Sequence, residues 1–146
     1  MPTQLEQNKA LVRRLFLECF SGGHLHVIDE IVSPEFEFFY PNTPPGIEGL
    51  KAIVRKNNAT FTGWSFEVHQ LLAEDDRVVA QWSGTGIHAK SFLGEAPTQK
   101  KVTLKGISIY QIKDGKIYKD WVEPDNLGFL TQLGVLKPVD FAEKEN

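Results

Sequence analysis

The spacing of apolar side chains changes period once along this chain, and that change limits the possible fold more than any other feature. Up to Gly63 apolar residues recur at helical spacing; beyond it they alternate at a spacing of two. Leu11, Val12, Leu15, Phe16, Cys19 and Phe20 predict an amphipathic helix over roughly residues 4–20, ended by Gly22-Gly23. Leu25, Ile28, Ile31 and Val32 predict a second, short helix that Ser33-Pro34 stops. Residues 36–40 are aromatic and read as a strand, and residues 41–46 as a loop. Leu50, Ile53 and Val54 mark a third helix ending near Asn57-Asn58. After Gly63, Phe66, Val68 and Gln70 alternate with Glu67, His69 and Leu71 as a strand, and residues 77–88 form a second. Residues 89–99 read as a loop. Residues 101–112 and 116–123 flank Asp114-Gly115, the clearest hairpin signal present, because Asp-Gly supplies the positive φ angles of a two-residue turn. Asp125 is the expected N-cap of a last helix with Leu127, Leu130 and Leu133 inward and Gly134 as its stop. Helices first and antiparallel strands after is an α+β order. A twisted sheet wrapped against the helices makes a cone with an apolar interior. No repeat or linker divides the chain, so one domain is expected over residues 1–146, with its core at about 8–134 and a polar tail, 137–146, that frays.

Composition removes several functions. The 146 residues suffice for a core without staples. A formal charge of −3 and short basic pairs at Arg13-Arg14 and Lys100-Lys101 give no footprint for nucleic acid. The single cysteine, Cys19, excludes an internal disulfide and a cysteine-based zinc cluster, and its place on an apolar helix face favours packing over nucleophilic chemistry. The first nine residues have no apolar signal core, and no apolar run is long enough to span a membrane, so the cytoplasm is the expected compartment.

Four pieces of sequence carry a family resemblance. They are the Leu11-Val12-Arg13-Arg14 helix with Phe20, the loop Pro44-Pro45-Gly46-Ile47-Glu48-Gly49, and the stretch from Gly86-Ile87-His88 through Phe92-Leu93-Gly94 to Pro97-Thr98. The fourth runs from Asp114-Gly115-Lys116-Ile117 through Trp121, Asp125 and Leu127-Gly128 to Gln132-Leu133-Gly134. Together they resemble the SnoaL-like polyketide cyclases (the ester cyclase branch), within the superfamily of nuclear transport factor two, ketosteroid isomerase and scytalone dehydratase. The resemblance implies a cone-shaped α+β barrel of three N-terminal helices on a strongly curved antiparallel sheet, with a short C-terminal helix. It also implies a deep pocket, a homodimer through the sheet, and neither metal nor organic cofactor. Cyclases of this kind close a ring in an aromatic polyketide by intramolecular aldol condensation, with a pocket Asp as general acid/base and a His as its helper. Anchored on the Asp-Gly-Lys-Ile turn, those two positions fall at Val122 and Ser108. Valine carries no proton, and an unactivated serine is a poor base.

The strand period offers another carboxylate. Residues two apart share a face, so Tyr118, Asp120 and Val122 are expected to point together, opposite Gly106, Ser108 and Tyr110 on the partner strand. In an apolar cone Asp120 would have its pKa raised by desolvation and suit proton abstraction, with Ser108 or Tyr110 orienting a substrate oxygen. The alternative, favoured on sequence alone, puts Asp120 at the strand's wet end, bonded to Lys119 or solvent. His69 has either a pocket or an outer-face position, and His88 either a structural or a catalytic one; His24 and His26 read as surface turn residues. No His or acid spacing points to a metal. Phe38 and Tyr40 suggest a greasy pocket mouth, while Trp121, opposite in phase to Val122, suits packing or an interface. Three functions follow: a cofactor-free cyclase, isomerase or lyase acting on a small apolar or aromatic molecule; a non-catalytic small-molecule binder; or a dimeric interaction module on the same scaffold.

Overall fold

The computed structural model describes residues 1–138 and Ala142; the rest of the tail expected to fray lies outside the described residues. Helix α1 (Gln4–Arg14) opens with a capping box in which Thr3 and Glu6 satisfy each other's backbone N–H groups. It continues into a π-helical segment, Leu15–Phe20, that buries Leu15, Phe16 and Cys19. Ser21 ties this segment to the sheet: its hydroxyl donates to the Phe16 carbonyl at 2.9 Å and accepts the Phe66 N–H at 2.8 Å. Helix α2 (His26–Ile31) passes straight into strand β1 (Val32–Phe39). Val32 and Ser33-Pro34 therefore belong to the strand, rather than closing the helix as the sequence suggested. Proline is tolerated there because β1 is an edge strand.

Helix α3 (Gly46–Thr60) leads into β2 (Phe61–Glu74), β3 (Arg77–His88), β4 (Lys101–Lys113), β5 (Lys116–Pro124) and helix α4 (Asn126–Gln132). The five strands form one curved sheet in the order β1-β5-β4-β3-β2. Neighbours pair antiparallel except β1 and β5, which run parallel and bring Phe38 beside Asp120. Asp114 and Gly115, at φ 52 and 72, make the expected β4–β5 turn. The α+β class read from the sequence is the observed one.

The ladders carry four register shifts, at Val32/Glu37 in β1, at Thr62/Ser65 and Val68/Gln70 in β2 and at Gln111/Ile112 opposite β5, and the last two of these bear on the residues singled out from sequence. In β2, Val68 pairs with Trp82 and Gln70 with Gln81, so His69 is an extra residue. Gln70 then turns outward, where it bonds Gln81 at 2.7 Å, and Leu71 moves to the packed side. In β5, Ile117 pairs with Ile112 and Lys119 with Gln111, leaving Tyr118 as the extra residue. Helix α4 has the predicted Asp125 cap, which accepts the Gly128 N–H at 2.9 Å. Leu133 is buried and Leu130 packs against the core as predicted, whereas Leu127 is 40% exposed and Phe129 is buried instead. Among the described residues no helix is long and apolar enough to cross a membrane.

Candidate functional site

The helices and the inner face of the sheet enclose a narrow cavity of about 50 Å³ that opens to solvent on one side. The π-helical segment contributes Phe16 and Phe20, and α3 contributes the stripe Leu50, Ile53, Val54 and Asn57. From the sheet come Phe38, Trp64, Phe66, Trp82 and Leu104, with Tyr40 following β1. Four inward residues of the central hairpin complete it: Ser108 and Tyr110 on β4, Asp120 and Val122 on β5. They sit as two cross-strand pairs, Ser108 opposite Val122 and Tyr110 opposite Asp120.

Asp120 is only 1% exposed. The wet-end reading of this carboxylate, favoured on sequence, is thereby overturned; the bulge at Tyr118 puts Asp120 in register with inward Tyr110. Its Oδ1 is buried without a hydrogen-bond partner. Desolvation among apolar walls pushes its pKa well above the usual carboxylate range. Tyr110, also buried, has its phenol pushed up by burial and by the neighbouring Asp120 charge. Burial raises the Tyr40 phenol too. Ser108 Oγ accepts the indole N–H of Trp82 at 2.9 Å. Gly106 makes that contact possible, because a Cβ there would lie 2.7 Å from Trp82 Cζ2 and 2.9 Å from the Glu123 carbonyl oxygen.

Of the residues singled out from sequence, Asp120, Ser108, Tyr110, Val122, Phe38 and Tyr40 line this space. Two do not. As the bulged residue, Tyr118 turns out of the cavity, with the Lys113 and Lys119 ammonium groups 4.8 and 5.5 Å from its ring centroid. His69, also a bulged residue, is exposed and lies 2.9 Å from Ser83 Oγ on the outer face. His88 is buried away from the cavity; its Nδ1 accepts the Thr98 N–H at 3.2 Å, holding the loop that follows β3. Trp121 stacks on Phe39 outside the cavity, with ring centroids 5.4 Å apart. Cys19 is fully buried in the core, and burial pushes its thiol up to about 12. Among the described residues, no cluster of three or more His, Cys, Asp or Glu is placed to hold a metal ion.

Sequence reasoning missed Asn57 and the bond between Trp82 and Ser108. Asn57 stands seven residues after Leu50 and four after Ile53, the next place on α3's apolar stripe, so a polar residue there was a readable anomaly. Trp82 shares its face of β3 with Val78 and Ala80, but its bond to Ser108 spans 26 residues and left no local signal.

The family model described as SnoaL-like polyketide cyclase matches residues 10–133. No curated protein matches the chain. Among solved structures, TsrD from Streptomyces laurentii is 30% identical over 88% of this chain and 98% of its own, with a TM-score of 0.77. A candidate polyketide cyclase from Bacillus cereus ATCC 10987 is 29% identical, covering 92% of this chain and 87% of its own at a TM-score of 0.79. A candidate SnoaL-like polyketide cyclase from Jannaschia sp. CCS1 is 25% identical over 94% and 99% of the two chains, also at 0.79. With the family's sequence pattern running through nearly all its elements, this chain belongs to the SnoaL-like polyketide cyclase family.

Proposed function

We propose that the protein is a cofactor-independent acid/base enzyme that moves a proton next to a carbonyl in a small apolar or aromatic molecule. That step is common to aldol cyclisation and to isomerisation. Asp120 carries the proton, and the hydroxyls of Ser108 and Tyr110 serve the substrate oxygen. One observation carries the reading: a carboxyl group 1% exposed, in an apolar cavity, with an oxygen that no group among the described residues satisfies. A structural carboxylate is ordinarily paired, whereas a desolvated and unpaired one is matched to proton transfer near neutral pH. The mostly aromatic wall of the cavity suits a flat, apolar ligand.

The test needs no named substrate. Flat 1,3-dicarbonyl and aryl ketone compounds are incubated in D2O, and exchange of the hydrogens next to the carbonyl is followed by mass spectrometry. Wild-type protein is expected to accelerate exchange for part of the panel, and Asp120→Asn to reduce it by about 10²-fold or more. Equal exchange by both proteins would refute the assignment. A second reading, a non-catalytic binder of the same ligand class, is favoured by valine and serine at the positions where the resemblance puts the acid/base pair. It predicts saturable binding without exchange. A homodimer through the outer sheet face belongs to the same proposal, since Ile107 and Ile109 are exposed there at 50% and 39%. A monomer mass by light scattering at working concentration would remove it.

A further inference from the structure

We infer that Asn57 is a specificity-determining residue, whose carboxamide holds a polar substituent at the end of the ligand remote from the carbon that loses a proton. This rests on the proton-transfer reading above, which places the reacting carbonyl beside Asp120, and adds a second polar anchor. The ligand class narrows to a flat aryl ketone with a further hydrogen-bonding group, such as a phenol hydroxyl, across the ring.

Two neighbouring asparagines near the end of α3 have different fates. The Asn58 carboxamide is used within the protein, donating to the Val54 carbonyl at 2.9 Å and to the Phe20 carbonyl at 3.3 Å. It thereby ties α3 to the π-helical segment. The Asn57 backbone is used as well, since its carbonyl accepts the Phe61 N–H where α3 passes into β2. The Asn57 side chain is not. It is half-buried and lines the cavity, yet among the described residues no hydrogen bond takes up its carboxamide. The other α3 residues on this wall, Leu50, Ile53 and Val54, are apolar, as are Phe16 and Phe20. Of the side chains that the helices give to the cavity, Asn57 alone can donate and accept hydrogen bonds. Its backbone is fixed and its polar atoms are unused, so they are available to a ligand.

The fold sets Asn57 across the cavity from the acid. Helix α3 packs chiefly on β1 and β2, the two edge strands of the sheet. It therefore lies across the open side of the curve, and the central hairpin that carries Ser108, Tyr110 and Asp120 forms the facing wall. The first turn of α3 meets β1: a Cβ on Gly49 would lie 3.5 Å from Phe38 Cδ1, and Phe38 pairs with Asp120. Asn57 follows about 12 Å further along the axis, near the end of α3 that leads into β2. A flat molecule whose carbonyl meets Asp120 thus brings its far side toward Asn57. A hydroxyl there exchanges hydrogen bonds with the carboxamide. A hydrocarbon edge in the same place strips water from the amide and returns no bond. Through that asymmetry one polar group on an apolar wall rejects ligands that lack the matching substituent.

The experiment compares 4-hydroxyacetophenone with acetophenone by isothermal titration calorimetry, on the wild-type protein and on two variants. Wild type is expected to bind the hydroxylated ketone more tightly. Asn57→Leu, similar in size, should reduce that preference about tenfold, and Asn57→Ala, which adds no bulk, should reduce it as well. For 2-hydroxyacetophenone, whose hydroxyl adjoins the carbonyl, the variants should lose no more affinity than they do for acetophenone. Urea unfolding of Asn57→Leu should show a midpoint unchanged or raised, because no internal hydrogen bond is broken and the apolar stripe is extended. No preference in the wild type, a preference that survives both substitutions, an equal loss for both ketones in both variants, or a lowered midpoint for Asn57→Leu would overturn the inference. The two proposals fail separately. Asp120-dependent deuterium exchange without an Asn57-dependent preference overturns this inference alone, and an Asn57-dependent preference without any exchange overturns only the enzymatic reading.

Discussion

Replacing Asp120 with asparagine isolates the ionisation of one interior carboxyl while keeping its shape. In the native protein the group is 1% exposed with an unpaired Oδ1, and burial holds its pKa well above the usual range. In the unfolded chain it titrates near about 4. Between those two values the native state holds a proton that the unfolded state has released, so wild-type stability falls as pH rises through this window. The slope for one proton is about 1.4 kcal/mol per pH unit. Below about pH 4 both states are protonated and the effect vanishes; above the native pKa the loss is complete and constant. Asparagine has no such term. The stability of Asp120→Asn minus that of wild type is therefore expected to be flat below about pH 4, then to rise by about 1.4 kcal/mol per unit. For a chain of this size that is roughly 3–6 °C in Tm for each unit. Urea unfolding followed by tryptophan fluorescence across pH 3.5–8 (about the range in which carboxyl groups and histidines titrate) measures the difference, with Trp64 and Trp82 buried as reporters. Any constant offset from the new amide drops out, because only the slope is read. A difference that stays flat, or falls with pH, would mean that the ionised carboxylate is the favoured native form, and the argument from desolvation would fail.

Other perturbations probe the frame around the site. Gly106→Ala should destabilise the protein by about 1–3 kcal/mol and displace the Trp82 indole, visible as a shifted fluorescence maximum, since its Cβ meets Trp82 and the Glu123 carbonyl. Asp125→Ala should cost about 1 kcal/mol in urea unfolding through loss of the α4 cap. Cys19, buried and with its thiol raised to about 12, should stay unreactive towards a disulfide reagent at about pH 8, where an exposed thiol reacts readily, and should be modified at the rate of unfolding.

Sequence reading went furthest where structure is local. The Asp114-Gly115 turn, the Asp125 cap and the helical spacing of Leu15, Phe16 and Cys19 each encode geometry within a few residues, and each is present. The inward face of β4 was readable for the same reason, because Ser108 and Tyr110 lie in a strand that keeps strict alternation. The bulges at His69 and Tyr118 were not readable, unlike the shift in β2 that carries Gly63 at φ 67. Neither His69 nor Tyr118 is a glycine or proline, and the extra residue becomes evident only when the strand is paired with its neighbour. For that reason Tyr118 was assigned to the cavity with Asp120, although three-dimensional pairing separates them. The burial of Asp120 also depends on Phe38, brought beside it by a parallel pairing between strands distant in sequence. Leu127 and Phe129 exchanged roles because a helix of seven residues offers too few turns to fix its phase from spacing alone.

The bulge at Tyr118 has a consequence for how this hairpin tolerates change. The turn sets Lys113 opposite Lys116 and Ile112 opposite Ile117, and after the extra residue the ladder resumes with Gln111 opposite Lys119. If nine residues of β5 were threaded regularly instead, Asp120 would stand opposite Ile109, whose side chain is on the outer face. The looped-out residue thus absorbs an insertion that would otherwise have turned the interior acid into a surface one. Deleting the Tyr118 codon leaves every pair of this ladder unchanged, whereas deleting Lys116 or Ile117 keeps the pairs from Gln111–Lys119 onward but sets Tyr118 opposite Ile112 in place of Ile117. Between the turn and Lys119, Tyr118 is thus the residue whose loss alters no cross-strand pair, and the cavity tolerates a change of length there at the least cost.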